Sequence, residues 1–172
     1  MSEPLPPVCM IVSKYHSEVT GPLREAAQEA YLARGGDRSR LGLIEAPGTF
    51  ELIALVTSAA NSGLYDGICG LGCVVQGQTE HAEYINRAVA RGFAKVTIES
   101  GIPVAFGVIT ANTIGQARDR AGGAHGNKGT EAMDALLDTL AAQEALAEAA
   151  MAERPGFEFK LKRDPRKPGE KI

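Results

Sequence analysis

A buried strand that runs through a glycine-containing turn into a helix is the feature that most constrains this chain. Residues 68–75 form a continuous apolar run, residues 76–80 are mostly polar, and a helical pattern begins at once. Counting from His81, small or apolar residues recur at i+3, i+4, i+7, i+8 and i+11, which is one face of a helix. These residues are Tyr84, Ile85, Ala88, Val89 and Gly92. Thr79 is the natural N-cap of that helix.

The turn before this helix is suited to an anion. Backbone N–H groups at a helix N-terminus lack intrahelical partners and carry a partial positive charge, which favours phosphate. His81 would lie in the first turn, where the helix dipole disfavours the imidazolium and favours a neutral ring able to transfer protons. A histidine there is also commonly a surface or capping residue, and Gly77 can serve the turn geometry alone. The spacing leaves both interpretations open.

Strands and helices alternate along the rest of the chain. Apolar runs predict strands at 8–12, 41–46, 68–75 and 102–109, and helical patterns follow each of them. We expect Pro22 in the first turn of the first helix, and Thr49 as the cap of the second. Alternation of this kind predicts a parallel sheet with helices on both faces. Ligands of such sheets bind at the carboxyl ends of the strands. A site there would hold Tyr15, Glu51, the 77–79 turn and His81, although Glu51 can equally serve the helix dipole.

Composition excludes several functional classes. The chain has 172 residues, 44% hydrophobic and 23% charged, which is typical of one globular domain. A net charge of −3 gives no electrostatic reason to expect nucleic acid or a membrane as a partner. Cys9, Cys69 and Cys73 lie in apolar runs without metal-ligand spacing, so we expect small buried hydrophobes and no metal. The N-terminal residues lack a secretory pattern, which favours a cytoplasmic protein.

Three segments are predicted. Residues 1–7 contain three prolines and form an irregular arm, residues 8–152 form the domain, and residues 153–172 form a basic tail. We expect the tail to be mobile or to pack on a neighbouring subunit.

Four sequence blocks carry a resemblance to a known family. They are Pro-Gly-Thr-Phe-Glu at 47–51, Gly-Gln-Thr-Glu-His at 77–81, Pro-Val-Ala-Phe-Gly-Val-Ile-Thr at 103–110, and Gln-Ala-Arg-Asp-Arg-Ala-Gly at 116–122 with Gly-Asn-Lys-Gly-Thr-Glu-Ala at 126–132. In their order and spacing they resemble 6,7-dimethyl-8-ribityllumazine synthases, which catalyse the penultimate step of riboflavin biosynthesis. Each block alone is weak, but all four in register are specific.

The resemblance implies both a fold and a reaction. The fold is a three-layer flavodoxin-like α/β sandwich with a four-stranded parallel sheet in the order 2-1-3-4, assembled into homopentamers whose sites are shared by adjacent subunits. The reaction condenses 5-amino-6-(D-ribitylamino)uracil with 3,4-dihydroxy-2-butanone 4-phosphate, releases phosphate and water, and needs no cofactor or metal. Riboflavin synthase is the further partner that the resemblance suggests.

The resemblance also implies roles for individual residues. Tyr15 would stack on the pyrimidine, the Thr49, Phe50 and Glu51 segment would bind the ribityl chain, and the Cys73, Val74 and Val75 backbone would meet the pyrimidine edge. Gln78 and Thr79 would bind phosphate, with His81 as the general acid and base. The neighbouring subunit would supply Phe106, Arg120 and Lys128. On position alone, Arg120 is an ordinary cation near a helix C-terminus.

Departures from the family pattern keep other functions open. The family commonly has Phe or Trp followed by Asn at Tyr15 and His16, Arg at Gln76, and an acidic residue at Gln78. A lumazine- or flavin-binding paralogue with weak catalysis, or a shell-forming protein, is therefore the alternative to the synthase. Proline in the short arm cannot donate ladder hydrogen bonds, which favours a free pentamer, or a decamer of two stacked pentamers, over a sixty-subunit shell. The turn at 122–127 instead resembles that of the shell-forming members, and of these assemblies we favour the pentamer.

Overall fold

A four-stranded parallel sheet forms the centre of the molecule. The computed structural model describes residues 4–169, so residues 1–3 of the predicted arm and 170–172 of the predicted tail lie outside it. The strands are β1 (Val8–Ser13), β2 (Leu41–Ala46), β3 (Gly67–Val75) and β4 (Val104–Ala111). Their order is β2-β1-β3-β4, and all neighbours run parallel. The expected α/β fold and strand order are confirmed. The expected 102–109 strand was placed two residues early, because its apolar run begins in the loop before Pro103.

Five helices connect and cover the strands within the described residues. They are α1 (Ser17–Ala33), α2 (Leu52–Asn61), α3 (His81–Ser100), α4 (Ile114–Asp119) and α5 (Lys128–Met151). A single 3₁₀ turn, Arg38–Arg40, precedes β2, and a short hairpin of β5 (Ala121–Gly123) and β6 (Gly126–Asn127) joins α4 to α5. No helix in the range 4–169 is long and apolar enough to cross a membrane.

The core is divided by the sheet into two apolar clusters, one beneath each helix layer. On one side Leu23 of α1 and Leu136 of α5 pack with Met10 of β1. On the other side Val56 of α2 and Val89 of α3 pack with Ile11. All six residues of β1 are buried, as its continuous apolar sequence indicates. Burying each large side chain stabilises the fold by about 1.5–3 kcal/mol.

The start of α1 differs from the expectation. The helix begins at Ser17, so Pro22 lies in its second turn rather than its first. Proline has no N–H, and the i→i−4 hydrogen bond to the Glu18 carbonyl cannot form there. The preceding loop is held instead by Thr20, whose buried hydroxyl donates to the Ser13 carbonyl at 2.6 Å.

The C-terminal tail packs on its own chain through a buried ion cluster. The Arg163 side chain is 2% exposed, and its Nη2 lies 2.7 Å from Asp138 Oδ2 on α5. Arg34, which directly follows α1, approaches the same carboxylate at 2.8 Å, and the Gly169 amide donates to Asp134 Oδ2 at 2.8 Å. The sequence had instead suggested a mobile tail or one laid on a neighbour.

Candidate active site

A cavity of about 960 Å³ opens at the carboxyl ends of β1, β2 and β3. Its walls come from the loop after β1, the loop after β2, the end of β3 and the first turns of α3. Most of the sequence-predicted site residues line it, namely Tyr15, Thr49, Phe50, Glu51, Cys73, Val74, Val75, Thr79 and His81. The topology therefore brings together residues that are up to 66 positions apart along the chain, from Tyr15 to His81.

Thr49 connects two walls of the cavity and does not cap α2. Its hydroxyl donates to the Cys73 carbonyl at 3.2 Å, and the side chain is buried. The N-cap position of α2 is Glu51, two residues later. Gly72 makes this close approach feasible, because a Cβ there would lie 2.9 Å from Thr49 Oγ1. The prediction that Thr49 caps α2 is therefore wrong, because the Thr49 hydroxyl instead joins the loop after β2 to β3.

Glu51 places the carboxylate of the cavity. It is at the N-cap of α2, where a negative charge complements the helix dipole, and it also lines the cavity. A Cβ on Gly48 would lie only 2.6 Å from Glu51 Oε2, so the carboxylate folds back over a glycine backbone. Glu51 can therefore complement the dipole of α2 and also serve as a residue of the site, which are the two roles that the sequence left open.

The 76–80 turn carries His81 into the cavity wall. The Gln76 amide donates to the Ala111 carbonyl at 2.8 Å, which ties the turn to the end of β4. The N-cap of α3 is assigned to Glu80, one residue after the expected Thr79. The Thr79 hydroxyl nevertheless accepts a hydrogen bond from the His81 amide at 3.5 Å, as a capping side chain does.

The predicted helix α3 is confirmed, and its predicted face meets two different surroundings. The buried residues of α3 are Ala82, Val89, Phe93 and Val96, so Val89 is the member of that face that lies in the core. Tyr84, Ile85 and Ala88 line the cavity, and Tyr84 is 66% exposed. The first turns of α3 therefore contribute to both surroundings, since Ala82 is buried in the core and Ile85 lines the cavity while packing against the same core cluster.

The Cys73 thiol is not a nucleophile at neutral pH. Burial raises its pKa to about 11, and the negative charge of Glu18 acts in the same direction. Thiol reactivity requires the thiolate, so this side chain is inert near pH 7. Cys73 thus contributes its backbone carbonyl and its bulk to the site. All three cysteines are buried and free, as expected from their apolar surroundings.

Arg120 and Lys128 lie in a second region, beyond β4. Together with His125 and Glu131 they line a cavity of about 150 Å³, and Arg120 also lines a neighbouring one of about 370 Å³. The Lys128 ammonium pairs with Glu131 Oε2 at 3.2 Å. Asn127 caps α5 through the Gly129 amide at 2.8 Å, which fixes Lys128 at the first helical position.

Phe106 and Gln78 also lie outside the residues that line the large cavity. Phe106 is 39% exposed on the edge strand β4 and packs edge-to-face on Phe93 at 5.8 Å. Within one chain, the predicted site residues are therefore divided between the cavity of about 960 Å³ and the region around Arg120 and Lys128. Phe106 and Gln78 line neither.

The residues that line the cavity without having been predicted as site residues are His16, Gly48, Ala82, Tyr84, Ile85 and Ala88. His16 directly follows the candidate Tyr15, so its adjacency to that aromatic was an available signal. Gly48 lies within the Pro-Gly-Thr-Phe-Glu block, and that block was the available signal for it.

Comparisons with known proteins place the chain among relatives that share one name. Residues 6–144 match the family model described as 6,7-dimethyl-8-ribityllumazine synthase. A protein of that name from Campylobacter curvus (strain 525.92) is 41% identical over 133 residues, which are 77% of this chain and 85% of the relative. Relatives of the same name from Sulfurovum sp. (strain NBC37-1) and Helicobacter pylori (strain J99) are 41% and 37% identical, with the same coverage. The chain therefore belongs to the 6,7-dimethyl-8-ribityllumazine synthase family.

Proposed function

We propose that this chain condenses 5-amino-6-(D-ribitylamino)uracil with 3,4-dihydroxy-2-butanone 4-phosphate to form 6,7-dimethyl-8-ribityllumazine. The observation that carries the proposal is the single cavity in which an aromatic ring, a carboxylate and a histidine meet, in a chain of this family. Such a cavity offers a stacking partner for a planar ring, an acceptor for a polyol and a group that can move protons.

The chemistry needs these residue types. The amine of the uracil attacks the ketone of the sugar phosphate and forms an imine with loss of water. Phosphate then leaves from the position β to the imine, and the resulting carbonyl is attacked by the second nitrogen, which closes the ring with loss of water. Each step moves a proton, and His81 is the group proposed to accept and return it. Binding two substrates side by side supplies much of the remaining rate.

The phosphate is proposed to be bound across a subunit boundary. The Thr79 turn offers backbone donors at a helix N-terminus, but Gln76 and Gln78 add no positive charge beside it. Arg120 and Lys128 lie in a separate region of the same chain. We propose that a neighbouring copy in a homopentamer brings its Arg120, Lys128 and Phe106 to this cavity, since guanidinium suits a leaving dianion.

The experiment is to mix both substrates with the purified protein. The lumazine formed, measured by its absorbance, and the phosphate released should appear in equimolar amounts. His81→Ala should lower kcat roughly a hundredfold or more, as loss of a general acid and base does. Arg120→Ala should mainly raise KM for the phosphorylated substrate, whereas Arg118→Ala, which removes an exposed cation in the last turn of α4, should leave it unchanged.

A catalytically weak paralogue that binds lumazine or flavin is the second candidate. The neutral Gln76 and Gln78 beside the phosphate turn favour it. Tight binding of the lumazine with turnover equal to the uncatalysed condensation would establish this second function and exclude the first.

A further inference from the structure

His16 has an unusual backbone conformation at the cavity. Its φ of 59° and ψ of 50° are left-handed, and it is one of two non-glycine residues with positive φ in the range 4–169. Such a conformation is uncommon for residues with a Cβ, although histidine is among those that tolerate it best. Left-handed non-glycine residues persist where the surroundings hold them, and they cluster at functional sites. His16 ends the loop after β1 and lines the cavity directly before α1.

The His16 ring packs on the ring of Tyr15. The two centroids are 4.7 Å apart and the planes meet at 72°, which is the favourable edge-to-face arrangement. The His16 side chain is 27% exposed, whereas Tyr15 as a residue is 68% exposed. His16 is thus the more sheltered ring of the pair, and Tyr15 has most of its surface free at the cavity.

A charged neighbour lies on the other side of His16. Its Nδ1 is 3.9 Å from Glu18 Oε1 in the first turn of α1, a distance too long for a hydrogen bond. The backbone carbonyl of His16 accepts from the Thr20 amide at 3.0 Å, and this holds the residue at the helix start. The imidazole therefore packs closely on Tyr15, whereas it makes no hydrogen bond to Glu18.

We propose that His16 is a positioning residue that holds the Tyr15 ring in place as a preformed platform for a planar nitrogen heterocycle. An exposed aromatic on a loop loses rotamer freedom when a ligand stacks on it, and a ring already held in place loses less. The inference rests on the proposed function, because the heterocycle is the aminouracil substrate. It also limits the effect of His16 to that substrate, since the sugar phosphate is bound at the Thr79 turn.

The test uses two variants that separate ring packing from charge. His16→Asn keeps a residue that tolerates the left-handed conformation but removes the ring. Glu18→Gln keeps the ring and removes the charged partner. For His16→Asn we expect KM for the aminouracil to rise roughly three- to tenfold, because the Tyr15 side chain must then be ordered on binding. KM for the sugar phosphate and kcat should remain within about twofold, since neither depends on this contact. Glu18→Gln should match the unaltered protein.

A double-mutant cycle shows whether His16 acts through Tyr15. In a Tyr15→Leu background, His16→Asn should cause no further loss, because the platform is already gone. Equal additional loss in both backgrounds would overturn the proposal. So would unchanged KM values, a parallel rise in both KM values, or a Glu18→Gln variant that reproduces the loss.

Direct binding distinguishes failure of this inference from failure of the proposed function. Equilibrium binding of 6,7-dimethyl-8-ribityllumazine should weaken by the same factor in His16→Asn, whether or not the protein turns over. Absent turnover with this weakening would refute the synthase activity and support His16 as a positioning residue. Turnover with equal binding by both proteins would refute the role of His16 alone. If His16→Asn fails to fold, His16→Gly serves the same comparison.

Discussion

The hydroxyl of Thr49 donates to the carbonyl of Cys73 across 3.2 Å, and this bond joins the loop after β2 to the end of β3. It lies inside the wall of the candidate cavity, where both residues are buried. One side chain therefore links the stability of the sheet to the shape of the site.

Replacing Thr49 by Val should weaken both properties. The isosteric change removes one buried hydrogen bond, so unfolding free energy should fall by about 1 kcal/mol and Tm by roughly 2–4 °C. KM for the aminouracil should rise because the loop is no longer tied to β3. Thr57→Val is the matched control, since that exposed hydroxyl bonds only within α2. Thermal unfolding with both variants checks the difference, and an equal effect of the two would contradict it.

Gly129 at the start of α5 should not accept a side chain. A Cβ there would lie 2.0 Å from the Leu23 carbonyl oxygen, and this backbone atom cannot move away without shifting α1. Gly129→Ala should destabilise by about 3 kcal/mol or more and loosen the α1–α5 contact beside Lys128. Gly21→Ala, in α1 with nothing within 4 Å, should instead stabilise by roughly 0.5–1 kcal/mol. Urea unfolding of the pair measures the contrast.

Arg163 should matter far more than its neighbour Arg166. Arg163→Met leaves Arg34 as the cation paired with the Asp134 and Asp138 carboxylates, and breaking such a buried cluster costs about 3 kcal/mol. The tail can detach without global unfolding, so the expected readout is rapid proteolysis after residue 152. Arg166→Ala removes an exposed pair with Asp164 and should change cleavage little. Equal protease resistance of all three proteins would show that Arg163 does not hold the tail.

Stability should decline in alkali because of the buried thiols. Burial raises the pKa of Cys69 from 9.0 to about 12, so the folded chain retains a proton that the unfolded chain releases. The contribution is fully present below pH 9 and is lost as the pH rises toward 12. A Cys69→Ala variant should lose less stability between pH 8 and 10.5 than the parent in urea unfolding. A steeper or equal decline would contradict this assignment.

Much of the fold could be predicted because the decisive signals are local. The apolar runs that define β1 and β2 are short, continuous and bounded by breakers, so their positions were found to within a residue. The start of β4 was placed two residues early because Ile102 is apolar but lies in the loop, and hydrophobicity alone does not distinguish the two locations. The carboxyl ends of parallel strands meet at one edge of a sheet, and from this rule Tyr15, Glu51 and His81 were predicted to lie together. All three line the same cavity.

The errors arose where a distant residue decides. A threonine before a helix has the same local sequence whether it caps that helix or, like Thr49, donates to a carbonyl 24 residues away. Arg163 is buried because α5 presents two carboxylates to it, which no pattern within the tail reveals. No pattern within α3 indicates that Tyr84 and Ile85 line an open cavity, because the other walls of that cavity come from the loops after β1 and β2.

The most direct test is subunit complementation between His81→Ala and Arg120→Ala. His81→Ala alone should be nearly inactive. Arg120→Ala alone should be nearly inactive at low concentrations of the sugar phosphate. Mixed assemblies from co-expression, verified by native mass spectrometry, should recover about a quarter of the parent activity, because about that share of head-to-tail interfaces joins an intact His81 to an intact Arg120. Mixed assemblies no more active than the separate variants would contradict a site shared between neighbouring copies.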